Sequence, residues 1–274
     1  MSTPPPVPRD RLHANLAGVH ARIAAAAERA GRSPDAVRLI AVTKTVGPAT
    51  LADLQRLGQC DFGESRVQLA RDKQTALAAT LPPADLATLR WHLIGPLQAN
   101  KVNLALKLFD TLHAVDSDAL AAALSQRLQA ARVGEVRTRF TAASAATSAV
   151  TSVGAPPPPP KLRRDPAPLP VFLEVNVSGE ATKRGVTVAA ARDLAPRIAA
   201  HPRLRLIGLM TMAPFDAPPA ILHHVFGTLR SLRDELQAAT VPTCTELSMG
   251  MSDDFETAIE EGATQVRVGR ALFL

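Results

Sequence analysis

Short apolar segments alternate with longer amphipathic segments along most of the 274-residue chain. The apolar segments are rich in β-branched residues and end near turn residues, which is typical of strands buried on both faces. The longer segments repeat their apolar positions at helical spacing, as Leu222, Val225 and Leu229 do. The pattern predicts strands at residues 39–44, 61–64, 91–95, 111–115, 171–177, 204–211, 246–249 and 265–269.

Eight strand–helix alternations predict a parallel sheet, because parallel neighbours need a helical crossover. No glycine-rich dinucleotide-binding motif follows the first strand, so we expect a closed (β/α)8 barrel and not a doubly wound sheet. The last strand lacks a following helical pattern. We expect the amphipathic helix between Leu12 and Ala30 to take that position and complete an α/β barrel.

Two segments do not follow this alternation. Residues 1–8 are rich in proline and are predicted to form a disordered tail. Residues 132–170 are rich in alanine, serine and proline, include five consecutive prolines and show little periodicity, so we expect a disordered insertion. Because the alternation resumes afterwards, residues 9–131 and 171–274 are predicted to form a single barrel domain.

Composition excludes several classes of protein. The net charge of +6 comes from 31 basic and 25 acidic residues, and no basic helix or aromatic stripe accompanies it, so we expect no nucleic-acid partner. Cys60 and Cys244 give no disulfide framework and no zinc-ligand spacing, and the histidines have no ligand spacing, so we expect no metal. Since no membrane-length apolar run or secretion signal is present, a cytoplasmic protein without a membrane partner is predicted.

The first predicted strand ends on Lys44. We expect an ammonium at the end of a buried strand to be half desolvated, which disfavours its charged form and frees the amine as a nucleophile. Such a lysine is a candidate for a Schiff base with an aldehyde or ketone. Alternatively, its side chain simply extends into water.

Other polar residues follow the predicted strands, where active-site residues of such barrels lie. The segment from Ser248 to Ser252 and the segment from Val268 to Arg270 follow strands seven and eight, the usual position of a phosphate site. Ser252 is also expected to cap the next helix. A lysine on one strand, with a phosphate site across the barrel, is what a phosphorylated aldehyde requires.

Several motifs, in order along nearly the whole chain, resemble those of the pyridoxal-phosphate homeostasis protein family (YggS/PROSC-like). They are AVTK at 41–44, FGE at 62–64, WHLIGPLQANK at 91–101, NVSGE at 176–180 with Lys183, GLM at 208–210 and GMSDD at 250–254. The resemblance implies a barrel of the alanine-racemase N-terminal-domain type and pyridoxal 5′-phosphate (PLP) bound as a Schiff base on Lys44. It also implies a role in PLP and amino-acid homeostasis without established turnover, with PLP-dependent apoenzymes as partners, and it favours a monomer.

The resemblance also assigns roles at the cofactor. Arg267 would face the pyridine nitrogen, the alternative being an ion pair on the barrel rim. Phosphate contacts are expected from Ser248 and Ser252, and from the backbone of Gly269 and Arg270. The remaining candidates each have a structural alternative: Asn176 and His92 contact the cofactor or serve the fold, Met210 lies at the site or in the core, Glu64 is a base or a loop cap, and Lys183 is a second amine or a solvated side chain.

The sequence departs from the family pattern near the cofactor. Ser65-Arg66 replaces a usual Asn-Tyr, Val46 replaces a second lysine, and Arg270 replaces a small hydroxyl residue. Two other functions compete with a homeostasis role. A PLP-dependent amino-acid racemase would need a second acid–base group, usually a tyrosine from another domain, and the sequence has no tyrosine. A cofactor-free class I aldolase would need the lysine but not a phosphate site paired with Arg267.

Overall fold

The computed structural model describes residues 6–130 and 167–274, and these form a closed barrel of eight parallel strands in sequential order. The strands are β1 (Arg38–Val42), β2 (Asp61–Glu64), β3 (Arg90–Leu93), β4 (Thr111–Val115), β5 (Leu169–Glu174), β6 (Leu204–Met210), β7 (Glu246–Ser248) and β8 (Gln265–Val268). The predicted (β/α)8 barrel is therefore confirmed in its strand count, order and closure.

Helices surround the barrel. They are α1 (Arg9–Arg29), α2 (Pro48–Arg56), α3 (Val67–Ala78), α4 (Pro83–Leu86), α5 (Val102–Leu108), α6 (Asp118–Ala130), α7 (Val188–Ala199), α8 (Pro219–Ala239), α9 (Phe255–Glu260) and α10 (Arg270–Phe273). Among the described residues, no helix is both long and apolar enough to cross a membrane.

The main hydrophobic core lies between the strands and the helices. Alternate strand residues such as Leu39, Phe62 and Leu247 point outward into it and meet the apolar faces of the helices. A second, small cluster of Ala114, Phe172 and Met210 contains no residue from a helix, so it lies inside the barrel. Apart from this cluster, the side chains inside the barrel are largely polar.

Helix α1 closes the ring of helices, as predicted. Its buried face, which includes Leu12, Leu16 and Ile23, packs against α9 and α10 beside the last strand. Arg22 pairs with Glu256 on α9 and lies over the ring of Phe255. Strand β8 therefore gains its cover from the opposite end of the chain.

Some predicted boundaries were wrong. Strand β5 begins at Leu169, so the last two residues of the predicted insertion belong to the sheet. The short helices α4 and α10 were not predicted. Residues 132–166 of the predicted insertion, and residues 1–5 of the predicted tail, lie outside the described residues.

Candidate functional site

Lys44 lies in a turn that follows β1, not at the end of the strand itself. The strand ends at Val42, and the turn is closed by a hydrogen bond from the Val46 N–H to the Thr43 carbonyl oxygen. The side chain of Lys44 is exposed, so the expected half-desolvated ammonium is not observed. Within the described part of the chain its amine has no hydrogen bond or ion pair, which leaves it accessible from the mouth of the barrel.

A buried ion pair contacts this turn and holds it in place. Sequence analysis did not predict the pair. The ammonium of Lys73 on α3 donates to Glu64 Oε1 at 2.5 Å and to the Thr43 carbonyl oxygen at 2.6 Å. Thr43 Oγ1 donates to the same carboxylate oxygen at 2.6 Å. Glu64 is therefore structural, and it fixes the residue that precedes Lys44.

The loop between β7 and α9 approaches the end of β8. The hydroxyl oxygen of Ser252 accepts hydrogen bonds from the N–H groups of Gly269 and Ala271, both at 3.3 Å. The prediction that Ser252 caps α9 was wrong, because that helix begins at Phe255 with Asp254 as its N-cap residue. Two backbone N–H groups thus converge on the hydroxyl of Ser252 at the mouth of the barrel.

These donors lie beside Lys44 and not across the barrel from it. Strands β1 and β8 are neighbours, with Ala41 opposite Val268. Gly269 packs so close to the end of β1 that a Cβ atom there would lie 3.2 Å from the Val42 carbonyl oxygen. The sequence analysis expected these donors across the barrel from Lys44. That expectation was wrong, because closure of the sheet makes β1 and β8 neighbours.

Arg267 lies inside the barrel and not on its rim. Its Nη1 donates to Ser248 Oγ at 2.7 Å and its Nη2 donates to the Thr211 carbonyl oxygen at 2.9 Å. Burial lowers the pKa of Arg267 to about 10, opposed by the carboxylates of Asp254 and Glu174, so the group stays protonated at neutral pH. The alternative of a rim ion pair is wrong, because the side chain is only 4% exposed.

The hydroxyl of Ser248 lies with Arg267 in the interior, apart from the donors around Ser252. It contacts His113 Nδ1 at 2.9 Å as well as the guanidinium. A phosphate contact from Ser248 stays a prediction, since the hydroxyl already has two partners.

Two histidines and an aspartate continue this contact through the barrel interior. His113 Nε2 lies 3.0 Å from His92 Nδ1, and His92 Nε2 lies 2.9 Å from Asp61 Oδ1. His113 stacks on Phe172 with ring centroids 4.5 Å apart. His92 therefore lies in the interior with His113 beside it, although sequence analysis assigned no role to His113. Both occupy inward positions on neighbouring strands, and the alternation of inward and outward residues was the signal that could have identified the pair.

Glu174 is a further buried carboxyl group that sequence analysis missed. It is the last residue of β5 and lies opposite Met210. Burial and the nearby Asp116 raise the pKa of Glu174 to about 7, although Arg267 and Arg184 act in the other direction. The mouth thus carries an acid that titrates near neutrality.

The remaining candidates have defined structural partners. The amide of Asn176 donates to the carbonyl oxygen of Glu180 at 2.9 Å and accepts from the Gly179 N–H at 3.0 Å, which organises the loop after β5. Lys183 donates to the Met212 carbonyl oxygen at 3.2 Å. Contact of Asn176 with a cofactor stays a prediction.

Met210 and Arg270 differ in exposure. Met210 is buried in the interior apolar cluster below the mouth, as its structural alternative expects. The Arg270 side chain is exposed and pairs with Asp253, and a phosphate contact from the Arg270 backbone stays a prediction. Among the described residues, no group of three or more metal-ligand side chains is arranged to hold a metal ion.

Comparison with known proteins identifies the family. A family model described as the N-terminal domain of alanine racemase matches residues 14–274. A pyridoxal phosphate homeostasis protein of Pseudomonas aeruginosa is 39% identical over 259 residues, covering 94% of this chain and 93% of the relative. A protein of the same name from Escherichia coli K12 is 34% identical over 261 residues, covering 94% of both chains.

Solved structures agree with this assignment. PipY of Synechococcus elongatus with PLP bound has a TM-score of 0.71 at 30% identity, covering 96% of this chain and 100% of that chain. An alanine racemase of Clostridium difficile has a TM-score of 0.63 at 14% identity, covering 96% of this chain and 56% of that chain. At this low identity the similarity supports the fold and not the activity. This chain therefore belongs to the alanine racemase N-terminal domain family and, within it, to the pyridoxal phosphate homeostasis proteins.

Proposed function

We propose that this chain binds PLP at the mouth of the barrel as a Schiff base on Lys44. Its role is to keep intracellular PLP and amino-acid pools balanced, without strong catalytic turnover. The observation that carries the proposal is the presence, on neighbouring strands, of an exposed amine after β1 and convergent anion donors after β8. An aldehyde requires the first and a phosphate requires the second.

The donor set fits a phosphate group. The N–H groups of Gly269 and Ala271 already point at one oxygen, that of Ser252, so a phosphate oxygen can take the same donors while the hydroxyl adds another. Gly250 allows the loop to lie this close, because its φ of +92° and the contact with α9 exclude a side chain.

Arg267 gives a physical reason for weak turnover. Bound PLP supplies a pyridine ring that withdraws electrons, and it does so most strongly when the ring nitrogen is protonated. A guanidinium that remains charged near this nitrogen disfavours its protonation. The site then retains the cofactor but provides little driving force for reactions on it.

The relatives support the same function. Proteins named pyridoxal phosphate homeostasis protein match nearly the whole chain, and PipY, solved with PLP bound, has the same barrel. We extend the proposal to transfer of PLP to apoenzymes, since an exposed amine at an open mouth permits exchange. Incubation of the PLP-loaded protein with an apo-aminotransferase is expected to restore the activity of the aminotransferase.

Spectroscopic titration tests the proposal. Adding PLP to the purified protein is expected to produce a yellow species, and Lys44→Ala is expected to abolish it. Lys183→Ala, which removes the amine of another mouth loop, serves as the matched control and is expected to retain the yellow species. A wild-type protein that takes up no PLP would contradict the proposal and favour an aldolase.

The racemase hypothesis makes a different prediction. These 274 residues contain no tyrosine to act as the second acid–base group. We expect the PLP-loaded protein to racemise alanine far more slowly than an ordinary enzyme would. A rate of about 1 s⁻¹ or more would favour the racemase.

A further inference from the structure

Five buried side chains form a continuous row of hydrogen bonds through the barrel, which we call the interior network. Its members, in spatial order, are Asp61, His92, His113, Ser248 and Arg267. Each is at most 5% exposed. Consecutive members are 2.7 to 3.0 Å apart, so every contact has the length of a hydrogen bond.

One end of the interior network can only accept hydrogen bonds. Asp61 lies at the start of β2, and Arg90 donates to both of its carboxylate oxygens, with Nε 2.7 Å from Oδ1. Burial alone would raise the pKa of Asp61, but the hydrogen bonds from Arg90 and His92 outweigh it and hold the pKa below its usual range. An ionised carboxylate has no proton to donate, so His92 must donate through Nε2.

The other end can only donate hydrogen bonds. The guanidinium of Arg267 carries no acceptor, so Ser248 Oγ accepts from it at 2.7 Å. The single hydroxyl proton of Ser248 then has His113 Nδ1 as its partner at 2.9 Å. That contact requires Nδ1 to be unprotonated and places the His113 proton on Nε2.

The two ends therefore fix every proton between them. His113 donates through Nε2 to His92 Nδ1, and His92 donates through Nε2 to Asp61. The opposite order would protonate both nitrogens of His92 and direct His113 Nδ1–H at Ser248, leaving the serine proton without an acceptor among the described residues. It would also place a second buried cation, on His92, in the same interior as Arg267.

We propose that Asp61, His92 and His113 are positioning residues that orient Ser248 so that it holds the Arg267 guanidinium in one place beneath the mouth. The interior network conducts no proton, because Arg267 never gives one up. Its effect is to fix the position of a cation whose other hydrogen bond, among the described residues, goes to the Thr211 carbonyl oxygen. The consequence for cofactor binding rests on the proposed function, whereas the order of protons does not.

Nuclear magnetic resonance of the cofactor-free protein with ¹⁵N-labelled histidine tests the order of protons. We expect two slowly exchanging ring N–H signals, both from Nε2, that disappear one each in His92→Gln and His113→Gln. Exposed histidines such as His224 give the contrasting fast exchange. A proton on His113 Nδ1, or a doubly protonated ring of His92 or His113 at neutral pH, would overturn the proposal even if the protein binds PLP.

Two substitutions of His113 test the positioning role. His113→Phe keeps the stacking on Phe172 but removes both hydrogen bonds, whereas His113→Gln offers one donor and one acceptor. We expect the Arg267 Nε–H to exchange with solvent about tenfold faster in His113→Phe and within about threefold of wild type in His113→Gln. PLP affinity should follow the same order, with about a tenfold loss in the phenylalanine variant.

Equal behaviour of the two variants would overturn the positioning role. If His113→Phe does not fold, the tautomer measurement on the unaltered protein still decides the proposal. If the tautomers are as expected but no form of the protein binds PLP, the proposed function fails while the order of the interior network stands.

Discussion

Lys73 and Glu64 form a buried ion pair next to the turn that carries Lys44. Lys73 and Glu64 have side chains 9% and 0% exposed, and a single carboxylate oxygen accepts from both Lys73 and Thr43. The second oxygen of Glu64 is buried without a hydrogen-bond partner among the described residues. Such a carboxylate depends on its ammonium partner, because burying an unpaired charge is costly.

Loss of this ammonium should therefore destabilise the fold. We expect Lys73→Met to lower the free energy of unfolding by about 3–5 kcal/mol, measured by urea denaturation. Arg71→Met is the matched control on the same helix, since Arg71 pairs with Asp72 in solvent, and it should cost at most about 1 kcal/mol. A double variant, Lys73→Met with Glu64→Gln, should recover much of the loss; failure to do so would argue against the buried charge as the cause.

Glu174 has the opposite relation to stability. Because its folded-state pKa is raised from 4.5 to about 7, the folded protein holds a proton that the unfolded chain releases between those values. Stability therefore falls as the pH rises from about 4.5 to 7, by up to about 3 kcal/mol.

Glu174→Gln should remove this penalty. We expect the variant to be more stable than wild type by about 1–3 kcal/mol at pH 8 and nearly equal to it at pH 4, measured by urea denaturation at both values. Glu180→Gln, at the partly exposed Glu180, should change stability by at most about 1 kcal/mol at either pH. A variant that is less stable than wild type at pH 8 would show that the Glu174 carboxylate is favourably paired.

At the scale of elements, the β7–α9 loop depends on one glycine. Gly250 has φ of +92°, and a Cβ atom there would lie 2.7 Å from the Cβ of Ala258. Gly179 has a similar φ of +72° but no atom within 4 Å of such a Cβ. A substitution at Gly179 would introduce backbone strain alone, whereas one at Gly250 would introduce both strain and steric overlap.

This difference predicts unequal costs. Gly179→Ala should lower the free energy of unfolding by about 1–2 kcal/mol, from strain alone, and Gly250→Ala by about 3–5 kcal/mol, from strain and overlap together. Gly250→Ala should also weaken PLP binding, because the loop carries Ser252. Equal stability losses in the two variants would mean that α9 moves away freely.

The elements were predictable from sequence, whereas their junctions were not. The hydrophobic period located all eight strands, because each is buried on both faces and must read as an apolar run. The partners of Ser252 depend on where α9 begins, and the local sequence did not reveal that Asp254, and not Ser252, is the N-cap residue.

The contacts inside the barrel were harder to predict, because they join residues that are distant in sequence. His92 and His113 belong to strands whose outward residues define the apolar pattern, so their inward positions followed only after closure was known. Lys73 was hidden in a polar helix, and nothing in the spacing indicates that it reaches Glu64. Lys44 was found from its position at the end of the first apolar run, although the predicted desolvation of its side chain was wrong.

At the scale of the molecule, the described ranges account for the entire barrel. Helix α6 ends at Ala130 and β5 begins at Leu169, so both elements that flank the predicted insertion are in place. The eight strands that close the sheet all lie within the described residues.

Replacing residues 132–166 with a glycine–serine linker of about ten residues should therefore preserve the barrel, since connections of this kind need few residues. We expect the far-ultraviolet circular dichroism to keep its helical signal and PLP affinity to change less than about threefold. An insoluble or PLP-free product would contradict the assignment of this segment as an insertion.

The central claim is that the amine of Lys44 holds PLP beside the donors of Ser252, Gly269 and Ala271. The most direct measurement is reduction of the PLP-loaded protein with borohydride, followed by proteolysis and mass spectrometry of the labelled peptide. The account predicts one phosphopyridoxyl group per chain, on Lys44. A label on another lysine, or none on a protein that has bound PLP, would contradict it.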